Sequence, residues 1–301
     1  MTQVNAEQIK NLRETTGAGM LDCRKALIEN NGNMDAAVDW LRKKGLSAAA
    51  KKSGRIAAEG LVAVATSGNK GAMIELNSET DFVAKNDQFQ ALAKQIAEKA
   101  LKDGSDTDSL KAATEADVVK AIATIGENIS LRRAAQLGVS KGIVASYVHS
   151  ATAPGMGKIG ILLALESEGN AEKLSQLGKQ IAMHIAASRP EAVTTAEVDA
   201  AKLERERNVY REQAAASGKP ADVIEKMIEG RVRKYYEEVV LMEQVFVVDG
   251  KTKISQVVAD AAKDVGAPVK ITGFVRFQVG EGIEKQQGDF AAEVAAAAGA
   301  A

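Results

Sequence analysis

Hydrophobic positions along the chain recur with two periods, and the switches between them outline the architecture. In residues 1–45 the period is helical. Ile9 and Leu12 share one face, Met20, Cys23, Ala26 and Leu27 a second, and Ala37, Val38, Trp40 and Leu41 a third. Asn5 with Gln8 three residues on forms a capping box, Gly17-Ala18-Gly19 breaks the first helix, Asn30-Asn31-Gly32 ends the second, and Asn33 caps the third. Three helices of about ten residues bury little on their own, so such a module works by docking onto something. The next segment, through Arg55, is rich in alanine and carries Lys43, Lys44, Lys51 and Lys52. No aromatic interleaves with these lysines to stack a base, and a solvated linker is expected.

From residue 56 the pattern alternates with period two, turns helical, and then repeats itself. Residues 60–64 and 72–76 predict strands around the turn Asn69-Lys70-Gly71, and Phe89, Leu92, Ala93, Ile96 and Ala97 predict a helix over 87–101. The same order returns as a strand over 142–147, a loop, a strand over 159–165 and a helix over about 171–187. The phrase Leu92-Ala93-Lys94-Gln95-Ile96-Ala97 reappears as Leu177-Gly178-Lys179-Gln180-Ile181-Ala182. A duplicated hairpin-plus-helix unit follows, hence two similar subdomains of α+β class. Between them, residues 115–136 are expected to be helical, with Val118, Ile122 and Ile125 as a stripe, followed by Ile129-Ser130-Leu131-Arg132-Arg133.

Residues 195–242 differ in kind. Two charged, helix-favouring runs flank Ser217-Gly218-Lys219-Pro220, with Pro220 placed as the first helical residue of the second run. Ile224, Met227, Ile228, Tyr235 and Val239 approximate a heptad seam there, which predicts an antiparallel helical hairpin projecting from the body. Strands over 244–248 and 273–279 then enclose a helix over 254–264, and Gly280-Glu281-Gly282 stops the second strand. A final amphipathic piece, 289–294, carries Phe290 and either packs on its own domain or clasps a partner.

Composition narrows the function classes. Aromatics make up 4% of the 301 residues, so the core is aliphatic and alanine-rich, which favours helices. A formal net charge of −1 argues against a dedicated nucleic-acid binder. The one cysteine, Cys23, excludes an intramolecular disulfide framework and fits a reducing compartment. No apolar run approaches the roughly 20 residues of a bilayer span, and no apolar signal core opens the chain. The expected setting is the cytoplasm.

Little catalytic chemistry is offered. Gly155-Met156-Gly157-Lys158-Ile159-Gly160 has the glycine spacing of a dinucleotide loop, but a strand follows where a helix is needed, so a flexible hairpin loop is expected. Ile159 stands where a phosphate loop needs Ser or Thr for magnesium. His184 lies on an apolar helical face as a packing residue, His149 ends a strand, and neither has a Cys or acid at metal-ligand spacing. Cys23 behaves as a small hydrophobe, and no serine lies in a nucleophile elbow. An enzyme is not expected, nor a bound cofactor or metal.

One stretch stands out: Glu75-Leu76-Asn77-Ser78-Glu79-Thr80-Asp81-Phe82-Val83-Ala84-Lys85-Asn86, at the turn from a strand into a helix. It sets an acid beside a large aromatic. In one reading Asp81 caps the helix and Phe82 packs as a hydrophobic staple. In the other, Phe82 is an exposed wedge with a carboxylate beside it to contest a charged contact.

At these residues the chain resembles a known family. Leu12-Arg13-Glu14-Thr15-Thr16-Gly17-Ala18-Gly19-Met20-Leu21-Asp22-Cys23-Arg24-Lys25-Ala26-Leu27 is similar to the N-terminal signature of bacterial elongation factor Ts proteins, and residues 75–85, built on Thr80-Asp81-Phe82-Val83, to their second signature. Ile181-Ala182-Met183-His184-Ile185-Ala186-Ala187-Ser188-Arg189-Pro190, Ser217-Gly218-Lys219-Pro220, and Phe274-Val275-Arg276-Phe277 through Gly280-Glu281-Gly282 extend the resemblance over nearly the whole chain.

The resemblance implies a guanine-nucleotide exchange factor for elongation factor Tu, the GTPase that carries aminoacyl-tRNA. The partner would be bound both with GDP and nucleotide-free, with no direct contact to nucleic acid or membrane. It implies a three-helix module like ubiquitin-associated domains with its linker (1–55), a core subdomain (56–140), a second in two parts (141–194 and 243–280), a coiled-coil hairpin (195–242) able to pair two complexes, and a C-terminal helical module (281–301). The wedge that displaces magnesium and nucleotide would comprise Thr80, Asp81, Phe82, Val83, Lys85 and Asn86. Arg13, Gly19, Met20 and Leu21 would dock the N-terminal module, with His149 and Phe290 as further partner contacts. Residues 153–160 are longer than a plain hairpin needs and are expected to be a local insertion. An RNA- or ribosome-associated binder using the basic 42–55 linker and the three-helix module is the alternative; it predicts strongly salt-dependent RNA affinity and little effect of Phe82→Ala.

Overall fold

The computed structural model describes residues 4–215 and 220–284. Three helices open the chain: α1 (Ala6–Thr16), α2 (Met20–Glu29) and α3 (Met34–Lys52). The capping box at Asn5 forms as expected, with Gln8 N donating to Asn5 Oδ1 at 2.8 Å and Asn5 N to Gln8 Oε1 at 3.1 Å. Gly17 closes α1 in the left-handed region at φ 71°. Leu12, Cys23, Ala26, Leu27 and Ala37 form a small core of their own. The basic segment expected to be a linker is instead the second half of α3, which runs to Lys52. Its alanines are strong helix formers, and Gly45 lies against Val119 and Ala123 of α5 (Thr107–Ile125). The third helix is thus a strut along the core.

The main body contains β1 (Glu59–Ser67), β2 (Lys70–Ser78), α4 (Asp87–Asp103), α5, β3 (Ser130–Gly138), β4 (Gly142–Ala153), β5 (Met156–Glu166), α6 (Ala171–Ser188), α9 (Ile254–Val265) and β6 (Lys270–Gln278). All neighbouring strands are antiparallel, in the order β3-β2-β1-β5-β4. β5 carries β4 along one edge; along the other it pairs with β6 from Ile159 to Glu166 and with β1 only at Met156 and Gly157. That short junction lets the sheet fold into two strand triplets packed face to face. Alternation along the strands allots the side chains. Leu61, Ala63, Ile74 and Leu76 pack with Phe89, Leu92 and Ile96 of α4, and Ile161, Leu163 and Leu165 pack with Ile181 and Ile185 of α6. Val62, Met73, Leu162, Ala164 and Phe277 fill the space between the triplets.

Several expectations change here. The helix expected over 115–136 starts at Thr107 and stops at Gly126 (φ 90°), and Ser130–Gly138 is the edge strand β3. Leu131 alternates into the core beside α4, a placement that a window centred on the preceding helix hides. The supposed loop and local insertion at 153–160 is a tight turn at Pro154-Gly155 within a long hairpin. Its glycine spacing is a packing requirement: Gly155 adopts φ 72°, and a Cβ on Gly160 would fall 2.5 Å from Val62 Cγ1 and 2.6 Å from Met73 Sδ.

The charged hairpin is α7 (Ala200–Ala215) against α8 (Ala221–Val239). Pro220 is the N-cap of α8 rather than its first helical residue, with ψ 150°. Ile228 and Val232 form the buried seam of α8, while Met227 is exposed. Residues 244–248 do not form a strand; Val245 makes one bridge to Lys253, and of the apolar run only Phe246 is buried. Gln244 instead bonds His184 and the carbonyl of Glu238, tying the base of the hairpin to α6. Residues 289–294, with Phe290, lie outside the described residues.

Candidate partner-binding site

β2 ends at Ser78, and residues Asp81–Lys85 make a single 3-10 turn before α4. The cap of α4 is Asn86, whose Oδ1 accepts from Gln88 N (3.0 Å) and Phe89 N (3.2 Å). Asp81 therefore does not cap the helix, and Phe82 is no staple: it is 80% exposed. The expectation of a capping, packing pair fails because Asn86 takes the cap and Val83 and Ala84 take the places in the core.

The backbone of this turn is held from several sides. Glu127 accepts from Thr80 N (2.9 Å) and Thr80 Oγ1 (2.6 Å). Ser78 Oγ donates to the Thr80 carbonyl at 2.9 Å, and Gln90 Nε2 to the Ala84 carbonyl at 2.9 Å. Glu79 Oε1 accepts from Asn128 N at 2.6 Å and lies 3.4 Å from Arg55 Nη1. Glu127 and Asn128 come from the loop after α5, which a sequence reading centred on residues 75–86 does not reach. Asp81, Lys85 and Asn86 are exposed, and Asp81 has no cationic partner among the described residues. A rigid platform presenting one aromatic to solvent beside a free carboxylate is suited to entering a partner's pocket. Of the expected wedge residues, Val83 is buried in the core and half-buried Thr80 is held by Glu127, so these two serve as anchors.

A second exposed apolar patch lies at the α1–α2 turn. Gly19 is the extended N-cap of α2, and Met20 and Leu21 are largely exposed at its start. Arg13, in the last turn of α1, is exposed beside them, its carbonyl accepting Gly17 N at 2.7 Å. Ile28, also exposed, is seven residues from Leu21 and so lies on the same helical face, a periodic signal available in the sequence. Both patches rest on one support: α3 packs along α5, and the loop after α5 clamps the Phe82 turn.

His149 is exposed on β4, in the other strand triplet, with its Nδ1 3.1 Å from Tyr147 Oη. His184 is fully buried, its Nε2 2.9 Å from Gln244 Oε1 and its Nδ1 accepting Val247 N at 3.3 Å. Burial holds its imidazole below the ordinary histidine range, opposed by the Gln244 bond. Burial likewise raises the Cys23 thiol. No cluster of three or more metal-ligating side chains occurs among the described residues, and no helix among them is long and apolar enough to cross a membrane.

Residues 79–281 match the family model described as Elongation factor TS. A relative from Rhodospirillum centenum named Elongation factor Ts is 60% identical, over 99% of this chain and 100% of its own. The chain belongs to the elongation factor Ts family. Proteins of the same name from Paramagnetospirillum magneticum (60% identical, 99% of this chain and 98% of the relative) and Rhodospirillum rubrum (57%, 98% and 99%) are similar over the same extent. Family membership makes the chain a translation elongation factor, and the clamped Phe82 turn lies within the matched region.

Proposed function

We propose that this chain is a guanine-nucleotide exchange factor acting in the cytoplasm on elongation factor Tu, binding the GDP form and holding the nucleotide-free form. The observation that carries this is Phe82, exposed on a turn whose backbone is fixed by Glu127, Asn86 and Gln90. Phe82 and Asp81 enter beside the magnesium and phosphate side of the GTPase's nucleotide site. Arg13, Gly19, Met20 and Leu21 dock on the same GTPase domain, and His149, on the second strand triplet, meets another. The α7–α8 hairpin is free to pair two complexes, and Phe290 adds a further clasp.

The mechanism is linkage. Exchange factor and GDP share one GTPase, so each weakens the other by the same factor. Every tenfold weakening requires about 1.4 kcal/mol of differential contact. An aromatic anchor contributes ~2 kcal/mol or more of it. Pre-ordering of the turn lowers the entropy lost on insertion. No covalent step is required of this chain.

Release of labelled GDP from elongation factor Tu tests the reading. The wild-type chain accelerates release, and the Asp81→Ala/Phe82→Ala variant accelerates it at least about tenfold less while still forming a complex. A folded wild-type chain without effect on release rejects the proposal. Full activity in the variant moves the mechanism to the docking surfaces.

A further inference from the structure

The Phe82 turn is tied to a distant element by the loop that follows α5. Gly126 closes α5 in the left-handed region at φ 90°, and Glu127 and Asn128 come next. The two carboxylate oxygens of Glu127 are divided between two donors of a single residue. Oε2 accepts Thr80 N at 2.9 Å and Oε1 accepts Thr80 Oγ1 at 2.6 Å. Thr80 stands at the N-cap of the 3-10 turn, yet its hydroxyl caps nothing there and is given to Glu127 instead. Its carbonyl accepts from Ser78 Oγ, so three atoms of the residue before Asp81 are held. Asn128 adds a neighbouring tie, its N donating to Glu79 Oε1 and its Nδ2 to the Arg55 carbonyl. Downstream of Phe82 the bonds are local, from Asn86 N to the Val83 carbonyl and from Gln90 Nε2 to the Ala84 carbonyl.

Half-buried Glu127 forms no ion pair among the described residues, so its charge is committed to Thr80. Charge-assisted bonds are short and directional, and this pair fixes both the backbone and the side-chain rotamer of Thr80. What is held in this way lies at the surface, where Asp81 and Phe82 extend from Thr80 into solvent.

We propose that Glu127 is a positioning residue for nucleotide exchange: acting through Thr80, it holds the Asp81–Phe82 turn in its inserting conformation before the partner arrives. This role rests on the exchange-factor reading. Without Glu127 the Thr80 donors turn to water, and the turn samples several orientations. A fraction of the docked complexes then presents Phe82 to the nucleotide site, and displacement slows by that fraction. In the same reading the α1–α2 patch makes the initial docking, which persists.

Release of labelled GDP from elongation factor Tu is measured against the concentration of wild-type chain, Glu127→Ala, Glu127→Gln, Phe82→Ala and Phe82→Ala/Glu127→Ala. Glu127→Ala is expected to lower the maximal release rate about tenfold, with the half-saturating concentration within about twofold of wild type. Glu127→Gln keeps an acceptor for Thr80 N and a donor for Thr80 Oγ1, and is expected to stay within about threefold. In the Phe82→Ala background, Glu127→Ala is expected to change nothing further, because the two residues act as one unit. A wild-type rate in Glu127→Ala overturns the positioning role and leaves the exchange reading standing. So does a further fall of about tenfold on top of Phe82→Ala, which would mean independent action. A wild-type chain without effect on release removes both.

A second measurement needs no GTPase. Chymotrypsin cleavage after Phe82 is followed in the free full-length chain, wild type beside Glu127→Ala. The variant is expected to be cut there about tenfold faster, since proteolysis follows local opening. Phe89 and Phe246, both buried, stay protected. Equal cleavage at Phe82 in the two chains rejects the role, as does a parallel rise at Phe89 and Phe246, which marks general unfolding.

Discussion

Phe82 and Val83 are neighbours in sequence with opposite fates. Val83 is in the core, whereas Phe82 forgoes the roughly 2–3 kcal/mol that burying such a side chain contributes. Phe82→Ala is therefore expected to change unfolding free energy by less than about 0.5 kcal/mol in denaturant titration, while the proposed acceleration of GDP release falls. Loss of both together would mark a folding role instead. The aromatic and acid were legible as a candidate, but that they neither cap nor staple the helix was decided by Asn86 taking the cap. His184 makes a pH prediction. With its folded-state pKa below the ordinary 6.5, the unfolded chain binds the proton first on acidification. Stability attributable to this site is intact above about pH 6.5 and declines as pH falls toward the lowered folded value, by at most about 1.4 kcal/mol per pH unit. Urea unfolding between pH 7.5 and 5 checks this, and His184→Gln is expected to flatten that part of the profile.

Among the elements, helix ends were the most legible features. Asn5, Asn33, Gly17 and the glycine stop at 280–282 all act within a few residues, where local chemistry decides. Elements decided by distant neighbours were misjudged. Residues 43–52 are helical because α5 offers a surface, Ser130–Gly138 is a strand because β2 offers an edge, and 244–248 is irregular because Gln244 N bonds back to the carbonyls of Val240 and Leu241 and Val247 N donates to His184. The glycines of the β4–β5 hairpin belong to the same class. Gly160 lets the two strand triplets close on Val62 and Met73, so Gly160→Ala is expected to cost about 1–3 kcal/mol through overpacking, measurable as a lowered denaturation midpoint. A dinucleotide-loop role would predict lost ligand binding at unchanged stability.

Over the whole molecule, one buried charge ties the parts together. Glu75 has no exposed surface, pairs with Arg132 at 3.1 Å and Arg133 at 2.5 Å, and accepts Gly280 N from the turn after β6. Glu75→Ala leaves two half-sequestered guanidinium groups without that partner, and a loss of about 3–5 kcal/mol is expected in equilibrium unfolding. Recovery of wild-type stability in the Ala variant would show that the network does not hold the triplets together. The sequence by itself determined the helix caps at Asn5 and Asn33, the α+β class, the repeated hairpin–helix order and, through its long signatures, the family, because each is written in short-range periodicity or contiguous residues. Only the tertiary structure decided that the repeats share one folded sheet, that α3 braces α5, and that Glu127 holds Phe82 out in solvent. Those outcomes depend on contacts between residues tens of positions apart, where burial and hydrogen-bond competition are settled by neighbours that no local window contains.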